Sequence, residues 1–388
     1  MRLLLRTDAG EIRLTKFFVK DIPRYAILSH TWGTEDDEVN FKDLMDGVGK
    51  NKIGYDKIRF CGDQAWRDGL EFFWVDTCCI DKSNSTELQE AINSMFRWYR
   101  DAAKCYAYLV DVSTPTLDAS DKSIWEPAFR ASRWFTRGWT LQELIAPTSV
   151  EFFSRENVRL GNRKSLEQHI YEVTGIPLEA LRGRLLSDFS VPERMAWIEK
   201  RSTTREEDIA YSLFGIFDVQ LPLLYGEGKE KALKRLREEI GKDDRCLADL
   251  RTTDPRHDKK RIEGAKGGLL RDSYRWVLDN AEFQRWRHGE DNRLLWIKGD
   301  PGKGKTMLLC GIIDELNISA PSGILSFFFC QATDSRLNNA TAVLRGLIYL
   351  LVSQQPALIS HVRQQHDLAG KRAVEDTNAW VVFVGDLH

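Results

Sequence analysis

No stretch of the 388-residue sequence stays apolar long enough to cross a bilayer. The longest runs, such as residues 324–330, fall far short of the roughly 20 residues that a spanning helix needs. A secretion signal is missing as well, because the basic start at Arg2 and Arg6 runs straight into Thr7, Asp8 and Ala9 instead of an apolar segment. Nor is there an excess charge of either sign. The 56 Lys and Arg stand against 58 Asp and Glu, a net charge of −2, so bulk electrostatics gives no pull toward nucleic acid or an anionic membrane. The seven cysteines form no C-x-x-C pair and join no histidine at metal-ligand spacing, and most lie in apolar stretches. They read as inert reduced thiols of a soluble, cytoplasmic protein. Internal repeats and low-complexity tracts are also absent.

What is present is ordinary globular material: 42% hydrophobic, 29% charged and 11% aromatic residues, in a length that suits two or three domains. Residues 25–28, 72–75 and 105–109 are short apolar runs without two-residue alternation, as strands covered on both faces would be. Between them Leu88, Ala91, Ile92, Met95, Tyr99 and Ala102 recur at helical spacing, with capping expected at Ser85 and Thr86. Strand and helix in alternation predict a parallel sheet wrapped by helices. Helices are further expected over residues 206–217 and 229–240. Residues 241–268 are densely charged and poor in large apolar side chains, so they divide the chain into a first domain at 1–240, a charged linker, and a second domain at 269–388. In that second domain residues 294–297 and 324–330 read as strands and residues from Lys305 as a helix.

Gly299-Asp300-Pro301-Gly302-Lys303-Gly304-Lys305-Thr306 fits G-x-x-x-x-G-K-[ST], follows an apolar run and opens an apolar helix. Glycines in such a loop let successive N–H groups point inward while the helix amino terminus faces the bound phosphates. Lys305 is expected on the β- and γ-phosphates and Thr306 on a Mg²⁺ ion. Hydrolysis also needs a carboxylate at the end of a second strand. The one candidate downstream, Asp386, stands two residues before the last position, which suits nucleotide binding better than turnover and suggests a truncated domain.

Three short constellations mark the first domain. L-S-H-T-W-G at 28–33 and W-V-D-T-C-C-I at 74–80 each close a predicted strand. Ligand sites of open α/β sheets lie beyond the carboxyl ends of strands, so Ser29, His30 and Asp76 share one rim. R-G-W-T-L-Q-E-L at 137–144 puts Trp139 and Glu143 at i and i+4, on one helical face. Each residue also has a structural alternative. His30 could be a structural hydrogen-bonder, Asp76 a turn cap, Trp139 core packing, and Glu143 the ion-pair partner of Arg137 or Arg133. Cys78 and Cys79 lack a basic neighbour pattern and read as packing. A Ser29/His30 hydrolase is disfavoured, since adjacent residues seldom orient as nucleophile and base and no G-x-S-x-G elbow is present.

In this order the three motifs resemble the heterokaryon incompatibility (HET) domain of filamentous fungi. Residues 205–216 and 221–228 look like its closing part. The phosphate-loop region, with F-F-F-C-Q-A-T-D at 327–334 and V-L-R-G-L-I-Y at 343–349, resembles the start of a NACHT nucleotide-binding domain. The combination is similar to fungal vegetative incompatibility proteins that carry HET, then NACHT, then WD40 repeats. That resemblance implies self/non-self recognition ending in regulated cell death, GTP or ATP with Mg²⁺ at the NACHT switch, and self-association or another incompatibility protein as partner. HET domains are also distantly similar to TIR domains, some of which cleave NAD with a glutamate a few residues after a tryptophan. By that analogy the first domain has a TIR-like, flavodoxin-like parallel sheet with helical additions. Glu143 is its catalytic carboxyl, NAD its substrate, and Ser29, His30 and Asp76 the pocket lining. The fold expected overall is α/β, closing with an incomplete P-loop NTPase domain. A non-catalytic signalling adaptor, an inactive truncated allele and an ordinary P-loop NTPase are the alternatives.

Overall fold

The computed structural model describes residues 1–115, 119–288, 294–319 and 323–372. They fall into two compact units, Met1–Glu239 and Ile240–His388.

The first unit is built on one sheet. In chain order it contains β1 (Leu4–Arg6), β2 (Ile12–Leu14), β3 (Tyr25–His30), α1 (Phe41–Met45), α2 (Gly54–Arg67), β4 (Phe72–Trp74), α3 (Ser85–Asp101), β5 (Lys104–Leu109), α4 (Lys122–Ala131), α5 (Thr140–Ile145), β6 (Val150–Ser154) and β7 (Arg159–Asn162). Short helices follow: α6 (Glu167–Thr174), α7 (Leu178–Leu181), α8 (Val191–Ala196), α9 (Asp208–Tyr211) and α10 (Phe214–Phe217). The strand order is β2-β1-β4-β3-β5-β6-β7. β3 pairs in parallel with β4 and β5, and β5 with β6, while β1, β2 and β7 close the edges antiparallel. Every residue of β3 and β6 is buried, which is why their sequences do not alternate. The parallel strands run second, first, third, fourth across the sheet. The chain therefore leaves β3 on one side and returns on the other, the switch point beyond which ligands of such sheets are usually held.

Two local expectations are corrected. The cap of α3 is Asn84, whose side chain accepts from the N–H groups of Thr86 and Glu87, so Ser85 and Thr86 lie inside the helix. The helix expected over residues 206–217 is broken into α9 and α10. Ser212 turns its hydroxyl onto the Ile209 carbonyl (3.1 Å), and Asp218 ends α10 at a φ of +53°.

The second unit contains the end of α11 (Lys229–Leu250), then α12 (Pro255–Ala265), α13 (Arg271–Leu278), α14 (Ala281–His288), α15 (Lys305–Ser319), α16 (Ala340–Gln354) and α17 (Ile359–Ala369). The linker expected at 241–268 is largely helical. Its charges pair instead of repelling: Lys259 bonds both Glu263 and Asp314, and Arg256 bonds Asp254, while Cys246 and Leu250 are buried. The strands expected at 294–297 and 324–330 do not form. Among the described residues no strand follows β7, and Leu294 and Trp296 are about four-fifths exposed. An apolar run becomes a strand only when a neighbour offers its N–H and C=O in register, and among the described residues none does. The core of this unit gathers Tyr274, Val277, Phe283, Leu308 and Ile312 from α13, α14 and α15. Among the described residues no helix is long and apolar enough to cross a membrane.

Candidate functional site

β3 delivers Ser29 and His30 to the sheet rim. The Ser29 hydroxyl donates to the Glu143 carboxyl and accepts the Trp134 indole N–H at 2.8 Å. All three residues are buried; Ser29 is 0% and Glu143 4% exposed. His30 stands between two carboxylates, with Nδ1 3.8 Å from Asp76 and Nε2 3.9 Å from Glu38. Glu38 is itself held by the Lys57 ammonium and the Gly33 N–H. Asp76 accepts the Trp32 indole N–H at 2.9 Å through one oxygen, and its other oxygen is buried without a hydrogen-bond partner. The Lys82 ammonium lies 3.7 Å from the centre of the Trp32 ring.

The electrostatics follow from burial. Loss of water pushes the Glu143 carboxyl up to about 8, reinforced by the Asp76 charge and opposed by the Ser29 hydrogen bond, Arg137 and Arg201. Burial likewise raises Asp76, while it lowers His30 well below the usual histidine range, helped by the cations Lys57, Lys82 and Arg137. At neutral pH the rim therefore holds an uncharged Glu143 and an uncharged His30. Cys78 and Cys79 are buried below it, and burial raises the Cys78 thiol further from reactivity.

Ser29, His30, Asp76 and Glu143 thus lie at one end of the sheet, in two linked groups. Glu143 is not the ion-pair partner of Arg137 or Arg133: Arg137 reaches the Thr204 hydroxyl and Arg133 lies 3.8 Å from Asp111. Asp76 binds Trp32 and caps no helix. Trp139 and Glu143 take different partners: the Trp139 indole donates to Asp208 (3.1 Å), which also accepts the Tyr225 hydroxyl, while Glu143 accepts the Ser29 hydroxyl. Gly138 of the same motif has a steric reason. A Cβ there would meet the Thr203 methyl at 2.4 Å, where the Gly138 N–H bonds the Ser202 carbonyl.

Several members escaped the sequence. Trp32 lies inside a motif already marked, but Trp134, Glu38 and Lys57 carry no local signal. Arg201 is the clearest case: Glu199, Lys200 and Arg201 look like surface charge, yet Arg201 is buried and bonds the Arg137 carbonyl and the Thr140 hydroxyl, both at 2.8 Å.

In the second unit Gly302 and Gly304 take φ of +82° and +78°, a backbone that favours glycine. The Lys305 ammonium spans the loop to the Gly299 and Asp300 carbonyls (2.5 and 2.9 Å), and Thr306 is exposed in the first turn of α15. A hollow of about 320 Å³ opens beside Lys303 and Gly304. Asp386 lies outside the described residues. Among the described residues, no cluster of three His, Cys, Asp or Glu side chains could hold a metal by itself.

Residues 25–126 match the family described as heterokaryon incompatibility protein (HET), and residues 272–386 match nephrocystin 3, N-terminal, a NACHT-like region. The chain carries a HET domain. Over 384 residues, 99% of its length, it is 75% identical to vegetative incompatibility protein HET-E-1 of Podospora anserina, and it spans 28% of that relative. No solved structure matches. The HET match takes in Ser29, His30 and Asp76 and ends before Glu143, so the carboxyl that seals the rim of the HET domain comes from beyond the matched residues.

Proposed function

We propose that the chain serves in non-self recognition between fungal cells, with the HET domain as the death-inducing effector and the phosphate-loop region as a nucleotide-controlled switch. The observation that carries this is 75% identity along nearly the whole chain to a vegetative incompatibility protein. The loop geometry adds to it: two left-handed glycines, a lysine reaching across the turn and an adjoining hollow suit GTP or ATP. The Thr306 hydroxyl would serve the Mg²⁺ that accompanies a nucleotide. The partner is a second copy of the chain or another incompatibility protein, and the compartment is the cytoplasm.

For the effector we propose a TIR-like unit that hydrolyses NAD. The second-first-third-fourth order of the parallel strands is that of flavodoxin-like sheets, and it supports this reading. In the reaction nicotinamide leaves with the electrons of the glycosidic bond, water adds its hydroxyl to the ribose carbon, and one proton is released. A carboxylate at Glu143 would stabilise the positive charge developing on the ribose. In the folded state described above Glu143 is neutral and covered by Ser29 and Trp134, so this is a resting effector, and activity requires that contact to open.

Expression of the full chain in fungal cells tests both parts. Death accompanied by NAD loss, both abolished by Glu143→Gln, supports the hydrolase. Death with NAD intact transfers the effector to an adaptor role, and no death either from the unaltered chain or from Ser29→Ala, which opens the contact over Glu143, removes the incompatibility function. In calorimetry Lys305→Ala should weaken GTP and ATP binding about 10- to 100-fold, the range of a lost charge-assisted hydrogen bond; unchanged affinity removes the switch.

A further inference from the structure

We propose that Lys82 and Arg137 form an anion subsite on the outer side of the HET-domain rim, which holds the diphosphate of a dinucleotide such as NAD. The inference rests on the proposed hydrolase and adds which side chains hold its substrate while Glu143 is still covered.

The other cations of the rim are engaged. Lys57 pairs with Glu38, and the Arg201 guanidinium is interior, bonded to the Arg137 carbonyl and the Thr140 hydroxyl. Lys82 and Arg137 differ from them, because among the described residues neither has a carboxylate within 4 Å. The Lys82 ammonium rests 3.7 Å from the centre of the Trp32 ring, and the Arg137 guanidinium reaches only the Thr204 hydroxyl, at 3.4 Å. Loss of water pulls the Lys82 ammonium below the usual lysine range, with Asp76 opposing from farther off. A cation that has given up water without gaining an ion pair favours an anionic ligand.

Their placement suits one ligand. Lys82 acts on His30 and Asp76, and Arg137 acts on His30 and Glu143. The two cations thus flank the imidazole, one from the Asp76 side and one from the Glu143 side. His30 and Glu143 are themselves neutral at neutral pH and cancel neither charge. A dinucleotide diphosphate carries a negative charge on each phosphate, one for each cation, and a guanidinium meets phosphate oxygens with paired N–H groups. Asp76 adds an acceptor beside them: one oxygen holds the Trp32 indole, and the other, without a hydrogen-bond partner, suits a sugar hydroxyl next to the diphosphate. Lys82 is exposed, Arg137 half-buried and Trp32 39% exposed, so a ligand reaches them without displacing Ser29 or Trp134 from Glu143.

Calorimetry with ADP-ribose and inorganic pyrophosphate tests this on the full chain carrying Lys305→Ala, which disables the phosphate loop. ADP-ribose should bind, and more tightly than pyrophosphate. Lys82→Met keeps a stem over Trp32 without the charge and should weaken ADP-ribose about tenfold, as should Arg137→Gln; Lys82→Arg should keep most of the affinity. Added salt should weaken binding to the parent chain more than to either charge-removed variant. Urea midpoints should stay at the parent's value, since neither side chain has an ion pair to lose. The inference is overturned if ADP-ribose does not bind, if it binds no better than pyrophosphate, or if either charge-removed variant binds it as tightly as the parent does. Affinity lost only together with the fold overturns it as well. The hydrolase fails separately: ADP-ribose held through Lys82 and Arg137 by a chain that kills with NAD intact keeps the subsite and removes the hydrolysis. NAD consumed equally by the parent and both variants removes the subsite and keeps the hydrolysis.

Discussion

Ser29, at the end of β3, donates its hydroxyl hydrogen to Glu143 on α5 across 114 positions of sequence, while Trp134 donates to the same hydroxyl from the turn before α5. Burial, and not this contact, sets the charge state of the rim. The Ser29 contact is the one side-chain hydrogen bond that favours ionised Glu143, and it is outweighed by burial.

A carboxyl raised to about 8 when folded, from 4.5 when free, binds its proton more tightly in the folded chain. Stability therefore falls as pH rises from about 4.5 through about 8. His30 is lowered, so its contribution is lost as pH drops below 6.5, in the opposite sense. Between pH 6.5 and 8 the Glu143 slope should dominate. Urea midpoints of the HET-domain transition should decline over that window in the unaltered chain and flatten in Glu143→Gln.

Trp134→Phe keeps a ring among Phe135 and Phe152 but removes the N–H to Ser29. A loss of about 1 kcal/mol is expected from that one hydrogen bond, read from urea unfolding. Trp134→Ala, which empties a fully buried site, should cost about 3–5 kcal/mol.

Gly215 sits on α10 where an added Cβ would lie 2.0 Å from the Cβ of Phe96 on α3. Its backbone is not left-handed, so the obstacle is steric alone. Gly215→Ala should destabilise the HET domain by about 1–3 kcal/mol or more, and Phe96→Ala in the same chain, which keeps the clashing Cβ, should recover little of that loss. Melting temperatures of the single and double variants decide it.

Glu207 accepts the N–H groups of Gly226 and Gly228 at 2.8 and 3.0 Å, and its own backbone N–H, together with these bonds, holds its carboxyl below the usual range. Glu207→Ala should release residues 221–228. Limited proteolysis within that loop is expected to be roughly tenfold faster, with the rest of the domain resistant.

The rim was legible where function rides on local sequence. An apolar run ending in Ser29 and His30, and another leading to Asp76, locate strand ends, and a parallel sheet puts such ends together. The phosphate loop was legible for the same reason, since its glycines and Lys305 act within eight consecutive residues. Trp139 and Glu143 meet different partners, Asp208 and Ser29, because periodicity gives spacing along a helix and not which distant side chain each residue meets.

The sequence alone located β3, β4 and β5 with the helix between β4 and β5, the glycine-rich turn at residues 299–306 and the candidates at the strand ends, because each depends on side chains a few positions apart. Tertiary structure decided that Glu143 is covered and neutral, that Arg201 is interior, that Trp139 belongs to Asp208, and that residues 294–297 and 324–330 form no strands. Each of these turns on desolvation or on a partner supplied from far along the chain, and neither quantity exists until the chain has folded.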